Sequence, residues 1–341
     1  MAIYRLYPEK DTTIWSEPNL TGQYGNAGKD EIIEIGTYKD SDGVHRQKRA
    51  LVQFKESEIS DVINNKVSGT YKAKLHYYLA NASGVDKNFK INAYKITGSW
   101  DEGVGKKDDQ PYSFNDCTWK NSTTAISWSN AGGTFNTSSL SGSQSFTLDD
   151  SLDLNMDITS IVESTNGYIL KVDDNIETNI TSSYDLRFFG KDTNTIFPPY
   201  LEFSWDDQSI SNDLPELDTT VMTIGLKNNE PEYKDQGNVR FRLSVRPKYP
   251  QRSFVTSSIY LKEYRLPSES YWAVVDDYSN EPIIDFNEHT KISADNKSAY
   301  FDLDMSFLQP QRFYKVLIKT TLDGSTLVVD NQSTFKVVRH G

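Results

Sequence analysis

Val239-Arg240-Phe241-Arg242-Leu243-Ser244-Val245-Arg246 alternates without a fault. In an extended chain successive side chains point to opposite faces, so Val239, Phe241, Leu243 and Val245 share one face and the three arginines share the other. This is a half-buried strand with a basic outer side. Working outward, short β-rich runs bounded by Gly, Asn, Asp or Pro recur along the whole chain. They are Lys72–Leu79, Phe89–Ile96, Gly167–Val172, Leu186–Phe189 and Tyr200–Trp205 before this stretch. After it come Tyr271–Val275, Ala299–Leu303, Phe313–Thr320, Thr326–Val329 and Thr334–Val338, with Asp323-Gly324 as a hairpin turn.

Helical signals are few. Glu56–Asn64 and Met156–Glu163 each predict about two turns, the second capped by Asp153 or Asn155. The 20 Tyr, 16 Phe and 6 Trp favour pleated, half-buried surfaces. The expected fold class is therefore all-β: an N-terminal jelly-roll β-sandwich followed by a C-terminal immunoglobulin-like β-sandwich. The polar stretch 206–217 (DDQSISNDLPEL) reads as a linker between modules 1–205 and 218–341.

Charge supports that division. The net charge is −12, from 36 basic and 48 acidic residues. Residues 1–217 carry 20 basic and 32 acidic side chains, and 218–341 carry 16 of each. The excess lies wholly in the first part. An acidic chain without a basic stripe argues against nucleic acid as a partner and against a polybasic membrane-surface protein. No apolar run approaches the ~20 residues of a membrane helix, so no membrane insertion is expected. The start, Met-Ala-Ile-Tyr-Arg-Leu, lacks the apolar core of a signal peptide, so synthesis in a cytosol is expected. The seven Asn-x-Ser/Thr triplets, at Asn19, Asn81, Asn121, Asn136, Asn179, Asn296 and Asn331, then read as turns.

Ordered pieces of the first module resemble the DNRLRE family of β-sandwich domains, which includes a carbohydrate-binding module. They begin with Asp11-Thr12-Thr13-Ile14, Gln47–Phe54 (QKRALVQF) and Ala73–Tyr78 (AKLHYY). Ile91–Tyr94 with Trp100, Cys117-Thr118-Trp119 with Trp128, and Gly132-Gly133 follow. Asp157-Ile158-Thr159, Gly167–Leu170 and Pro198–Glu202 close the series. The loops 101–116 and 123–142 depart from the pattern in length. The second module resembles C-terminal β domains of structural proteins in tailed bacteriophage particles, through Ser270–Asp276, Ile283–Phe286 with Lys291–Ser293, Tyr300–Leu303, Arg312–Tyr314 and Phe335–Arg339. The resemblance implies a virion protein released by lysis, with other virion proteins and copies of itself as partners, and possible recognition of a host surface glycan.

Candidate sites follow from residue chemistry. His45, His76, His289 and His340 stand apart from any catalytic motif, and no HExxH, GxSxG, P-loop or GxGxxG occurs, so no enzyme is expected. Cys117, the single cysteine, lies beside Trp119 in a probable strand and reads as a buried inert thiol. Sugar sites combine aromatic faces with amides and carboxylates, which makes Trp15, Trp100, Tyr112 and Phe114 candidates, whereas Trp119 and Trp128 read as core. Asp101, Asp108, Asp109 and Asp116 can supply hard oxygen ligands to a structural Ca2+, or form a solvated acidic loop; no other cofactor is expected. Arg240, Arg242 and Arg246 are either a solvated face or an assembly interface for acidic neighbours.

Overall fold

The computed structural model describes residues 2–85, 88–107, 113–137, 142–147, 151–181, 183–227, 229–250 and 262–340. The chain divides into two compact units, Ile3–Trp205 and Asp206–Gly341 with Met1–Ala2. Both are all-β sandwiches.

The first unit contains β1 (Ala2–Leu6), β2 (Lys10–Trp15), β3 (Ile32–Lys39), β4 (His45–Gln53), β5 (Tyr71–Tyr77), β6 (Leu79–Ser83), β7 (Phe89–Lys95), β8 (Gly142–Phe146), β9 (Leu154–Asp157), β10 (Tyr168–Val172), β11 (Tyr184–Phe189) and β12 (Tyr200–Trp205). A four-stranded sheet runs β1-β12-β5-β9. An eight-stranded sheet runs β6-β11-β3-β4-β10-β7-β8, with β2 also paired to β4. Ala73, Leu75 and Tyr77 of β5 and Leu201 and Phe203 of β12 are buried, while Lys74, His76 and Glu202 between them stay partly exposed. Tyr77 meets Phe188 of the larger sheet at 6.2 Å between ring centroids, closing the core.

The centre of the larger sheet breaks that alternation. Ala50, Leu51 and Val52 of β4 are all 0% exposed. Ala50 and Val52 face the sandwich core. Leu51 lies opposite Thr12 of β2 and Ile169 of β10. It joins Ile14, Ile96 and Ile169 in a second core completed by Trp100, Cys117, Trp119 and Trp128. The described parts of the segment between β7 and Phe135 that carry Trp100, Cys117, Trp119 and Trp128 thus cover the outer face of the sheet, so its middle strands are apolar on both sides. Two left-handed glycines let the segment close. A Cβ on Gly132 (φ 87°) would sit 2.7 Å from the Trp119 ring, and one on Gly133 (φ 97°) 2.7 Å from Ile169.

Of the two predicted helices, the first is α1 (Glu56–Asp61) continued by a wide turn at Val62–Lys66, with Ile59 and Val62 buried. The second is corrected. Leu154 and Met156 are buried and Asn155 and Asp157 exposed, so a period of two wins and this stretch becomes β9 beside β5. Asp157 then accepts from Thr159 N (2.9 Å) and Oγ1 (2.6 Å), and only one 3-10 turn, Thr159–Ile161, follows.

The second unit holds β13 (Met222–Lys227), β14 (Glu232–Lys234), β15 (Asn238–Pro247), β16 (Ser270–Asp276), β17 (Pro282–Ile284), β18 (Ser293–Ala294), β19 (Ala299–Asp304), β20 (Phe313–Leu322) and β21 (Ser325–Val338). Its sheets run β13-β15-β19-β18 and β14-β21-β20-β16-β17. Phe241 stacks on Phe301 at 5.2 Å, Phe301 on Trp272 at 4.7 Å, and Phe335 meets Phe241 at 5.3 Å. Asp323 and Gly324 both have positive φ (49° and 74°), as a two-residue hairpin turn of this type requires. The two strands expected at Thr326–Val329 and Thr334–Val338 are one strand, whose pairing with β20 shifts between Lys315 and Leu317.

Residues 206–217 are not a free linker. Ser211 N donates to Ala294 O (2.8 Å) and Leu217 N to Arg265 O (2.9 Å). Gln208 Nε2 donates to Ser268 O and Ile292 O, and Leu217 is 1% exposed. The hydrogen-bond partners of this polar stretch are supplied by segments distant in sequence, which no local pattern announces.

Removing Trp100 should expose how much the covering segment stabilises the first unit. Its ring is 1% exposed and its Nε1 donates to Asn166 O at 2.9 Å. Trp100→Ala is expected to cost about 3–5 kcal/mol, read from denaturant unfolding of the full chain. A cost below 1 kcal/mol would mean that the segment is only draped over the sheet.

Candidate functional site

Trp100, a sequence candidate for sugar stacking, lies inside the second core and presents no face to solvent. Its apolar area is worth most where the sheet needs covering. Trp119 and Trp128 are buried beside it, as expected of core residues. Tyr112, Asp108 and Asp109 lie outside the described residues. Asp101 is exposed, and Asp116 (φ 63°) accepts from Thr124 Oγ1 at 2.6 Å. Among the described residues no group of three or more His, Cys, Asp or Glu is placed to hold a metal ion.

Trp15 and Phe114 come together at a cleft of about 180 Å³, shared with Glu17, Asn19, Gln23 and Lys107. Trp15 is 7% exposed: Gly25 approaches so closely that a Cβ there would sit 2.7 Å from the ring, and Lys107 Nζ stands 5.8 Å from the ring centroid. Most of its face is spent on the fold. The cleft is smaller than the roughly 300–1,000 Å³ of drug-sized pockets, so it admits one small group.

The start of the acidic insert is pinned down by a network that charge counting does not reveal. Asn26 Nδ2 donates to Glu102 O and Cys117 O, and its Oδ1 accepts from Gly28 N and Gly105 N. The Glu102 carboxylate accepts from Asp11 N (3.0 Å), Lys29 Nζ (2.9 Å) and Lys191 Nζ (2.6 Å). Lys191 N in turn donates to Asp11 Oδ2 at 2.7 Å. Asp11 is 1% exposed, and burial pushes its carboxyl up to about 7 against the pull of Lys191. Burial likewise raises the Cys117 thiol far above its ordinary value, leaving it protonated.

A second network sits where the covering segment meets the sheet. Arg49 Nε and Nη2 grip Glu177 at 2.6 and 2.9 Å, and its Nη1 donates to Gly132 O at 2.6 Å. The guanidinium lies 5.0 Å from the Trp119 ring centroid and 5.6 Å from that of Phe135. Lys171 pairs with the same Glu177 and with Asp174. The side chains of Arg49, Glu177 and Lys171 are 11%, 3% and 5% exposed, so these are desolvated pairs. A third network joins Lys48 to Glu34 (2.9 Å) and Asp185 (2.7 Å), with Lys107 and Arg187 also on Glu34.

In the second unit, the basic strand face is neutralised by its neighbours. Arg240 holds Asp302 through two 2.8 Å bonds and lies 4.1 Å from the Tyr300 ring centroid. Arg242 pairs with Asp295 at 2.8 Å and its hydrogen bonds hold that carboxyl well below the usual range. β19 places Asp302 opposite Arg240, so charges far apart in sequence pair across the ladder on this face. Arg246 is partly exposed at the same strand's end.

Sequence reasoning passes over the outward face of the four-stranded sheet. There Tyr200 lies opposite His76, and Glu202 opposite Lys74. His76 stacks on Tyr200 at 4.6 Å, Tyr78 meets Phe197 at 5.1 Å, and the Arg5 guanidinium covers Tyr200 at 4.5 Å while pairing with Glu202 at 2.9 Å. Burial lowers the His76 pKa, so its ring is neutral at pH 7. The signal was present in KAKLHYY: with Ala73, Leu75 and Tyr77 inward, His76 and Tyr78 must point outward.

Comparison of the chain with family models, with curated proteins and with solved structures finds no match.

Two outcomes test the networks. Asp11 binds a proton in the folded state that the unfolded chain releases near pH 4, so its contribution is full below pH 4 and is lost as pH rises through about 7. The stability of the wild type relative to Asp11→Asn should fall by roughly 2–4 kcal/mol between pH 4 and 8, measured by denaturant unfolding at each pH. Breaking the desolvated pair with Glu177→Ala should cost about 3–5 kcal/mol, because it strands Arg49 and Lys171; calorimetry of the variant checks this.

Proposed function

We propose that this chain is a non-enzymatic structural protein of a tailed-bacteriophage virion, acting in symmetric copies and presenting its first unit as a rigid β-sandwich. The observation that supports this best is how the first unit uses its charges. Glu34, Glu102 and Glu177 are each drawn into pairs with lysine or arginine that tie loops to strands, and Asp11 accepts from the Lys191 backbone N–H. Such networks hold a surface in one shape, which suits display and docking. The second unit, with a closed aromatic core and self-neutralised outer strand, suits a compact assembly module.

A second reading is carbohydrate binding and adhesion through the first unit. It is favoured by the partly exposed Phe114 beside the amides and carboxylate of the small cleft, and by the aromatic residues on the outward sheet face. Aromatic faces next to hydrogen-bonding groups match the alternating apolar and hydroxylated sides of a sugar.

Quantitative mass spectrometry of purified particles should find the chain at a fixed copy number per particle. Its absence from particles that are complete and infectious would overturn the structural role.

A further inference from the structure

We propose that the outward face of the β1-β12-β5-β9 sheet is a binding face for a neutral polysaccharide, a site that neither the cleft at Trp15 nor the sequence candidates contain. The proposal rests on the carbohydrate-binding reading and assigns it a place and a ligand chemistry.

The face is ordered in rows across the strands. One row is charged: Arg5 pairs with Glu202 at 2.9 Å, Glu202 lies opposite Lys74, and Lys74 opposite Asp157. Two cations and two carboxylates alternate, so the row has no net charge while offering donors and acceptors side by side. A hydroxyl group is both donor and acceptor and carries no charge, which makes a polyol the matching ligand; an anion or a cation would meet a like charge at every second position.

The next row, one pleat repeat or about 7 Å along, holds Tyr200, His76 and Asn155. Beyond it Tyr78 and Phe197 form an aromatic end, with Phe189 5.9 Å from Phe197. Phe197 is 41% exposed and Ile196 86% exposed. Pro198 and Pro199 link them to β12, and Thr195 Oγ1 accepts from Phe197 N at 3.2 Å, so the ring is held before any ligand arrives. From the Tyr78 row to the Lys74 row the face runs about 13 Å, and across four strands about 14 Å, room for a short stretch of sugar chain stacked on Tyr78 and Phe197 with its hydroxyls on the charged row; Tyr200, 8% exposed under Arg5, is a support beneath that face. A protein docking surface of this size would be more continuously apolar at its centre.

Native gels cast with soluble β-glucan, xylan, galactomannan or starch, and with polygalacturonate as an anionic control, test this with the full chain. At least one neutral polymer should retard the wild type and polygalacturonate should not. Phe197→Ala and Tyr78→Ala, verified as folded by circular dichroism, should each weaken the retardation about tenfold or more, whereas Phe114→Ala in the cleft should leave it unchanged. If Phe114→Ala abolishes retardation and the two sheet variants keep it, this face is not the site and the carbohydrate-binding reading stands. If none of the neutral polymers retards the wild type, that reading falls with the site. Self-association in light scattering that Phe197→Ala abolishes, without polysaccharide binding, would make the face a protein-docking surface and overturn the proposal.

Discussion

Burial of the larger sheet on both of its faces is the constraint on which the first unit depends. Once Leu51, Ile14 and Ile169 turn outward from a strand layer whose other side is already packed, something apolar has to cover them. Three tryptophans from one long loop do so, and the loop must cross close enough that only glycine fits at positions 132 and 133. Polar groups caught beneath it need partners, which is why Arg49, Glu177 and Lys171 meet there instead of in water. The covering loop, its two glycines and its ion pairs are a single solution to one packing problem.

The same logic explains why the chain is so acidic yet so heavily paired. Among the described residues the buried Glu34, Glu177 and Asp276 each take one or more lysines or arginines. Asp11 is the exception in kind. It lies deep enough that burial outweighs its neighbours, and a proton kept up to about pH 7 ties stability to pH between about 4 and 7. Desolvated pairs of this sort contribute little net stability compared with apolar contacts, but they select one arrangement of loops over others.

Two features of the surface are now distinguished by what their side chains are free to do. Arg240 and Arg242 have their charge satisfied by Asp302 and Asp295, so they add little field beyond their own strand pair. The sheet face bearing Arg5, His76, Tyr78 and Phe197 keeps rings and paired charges partly open to solvent, with Tyr200 buried beneath Arg5. Outer faces of sandwich sheets are normally polar throughout, and aromatic residues there are the departure that asks for a ligand.

Period-two alternation determined much of this protein from sequence alone. It placed Val239–Arg246 as a strand, while short β-rich runs bounded by turn residues placed Tyr200–Trp205 and most of Lys72–Leu79, and the Asp323-Gly324 dipeptide placed a turn; these signals are local, and together they gave the all-β class. Met156–Glu163 misled, since its few apolar residues fit either period and only pairing with β5 decides between them. The role of a site residue depends on contacts that lie far away in sequence. Whether Trp100 is a platform or a core residue depends on a sheet brought over it by β2, β4 and β10, and whether Arg240 is a free charge depends on Asp302, 62 residues away. Burial and charge pairing are properties of neighbours in space, and tertiary structure alone supplies those neighbours.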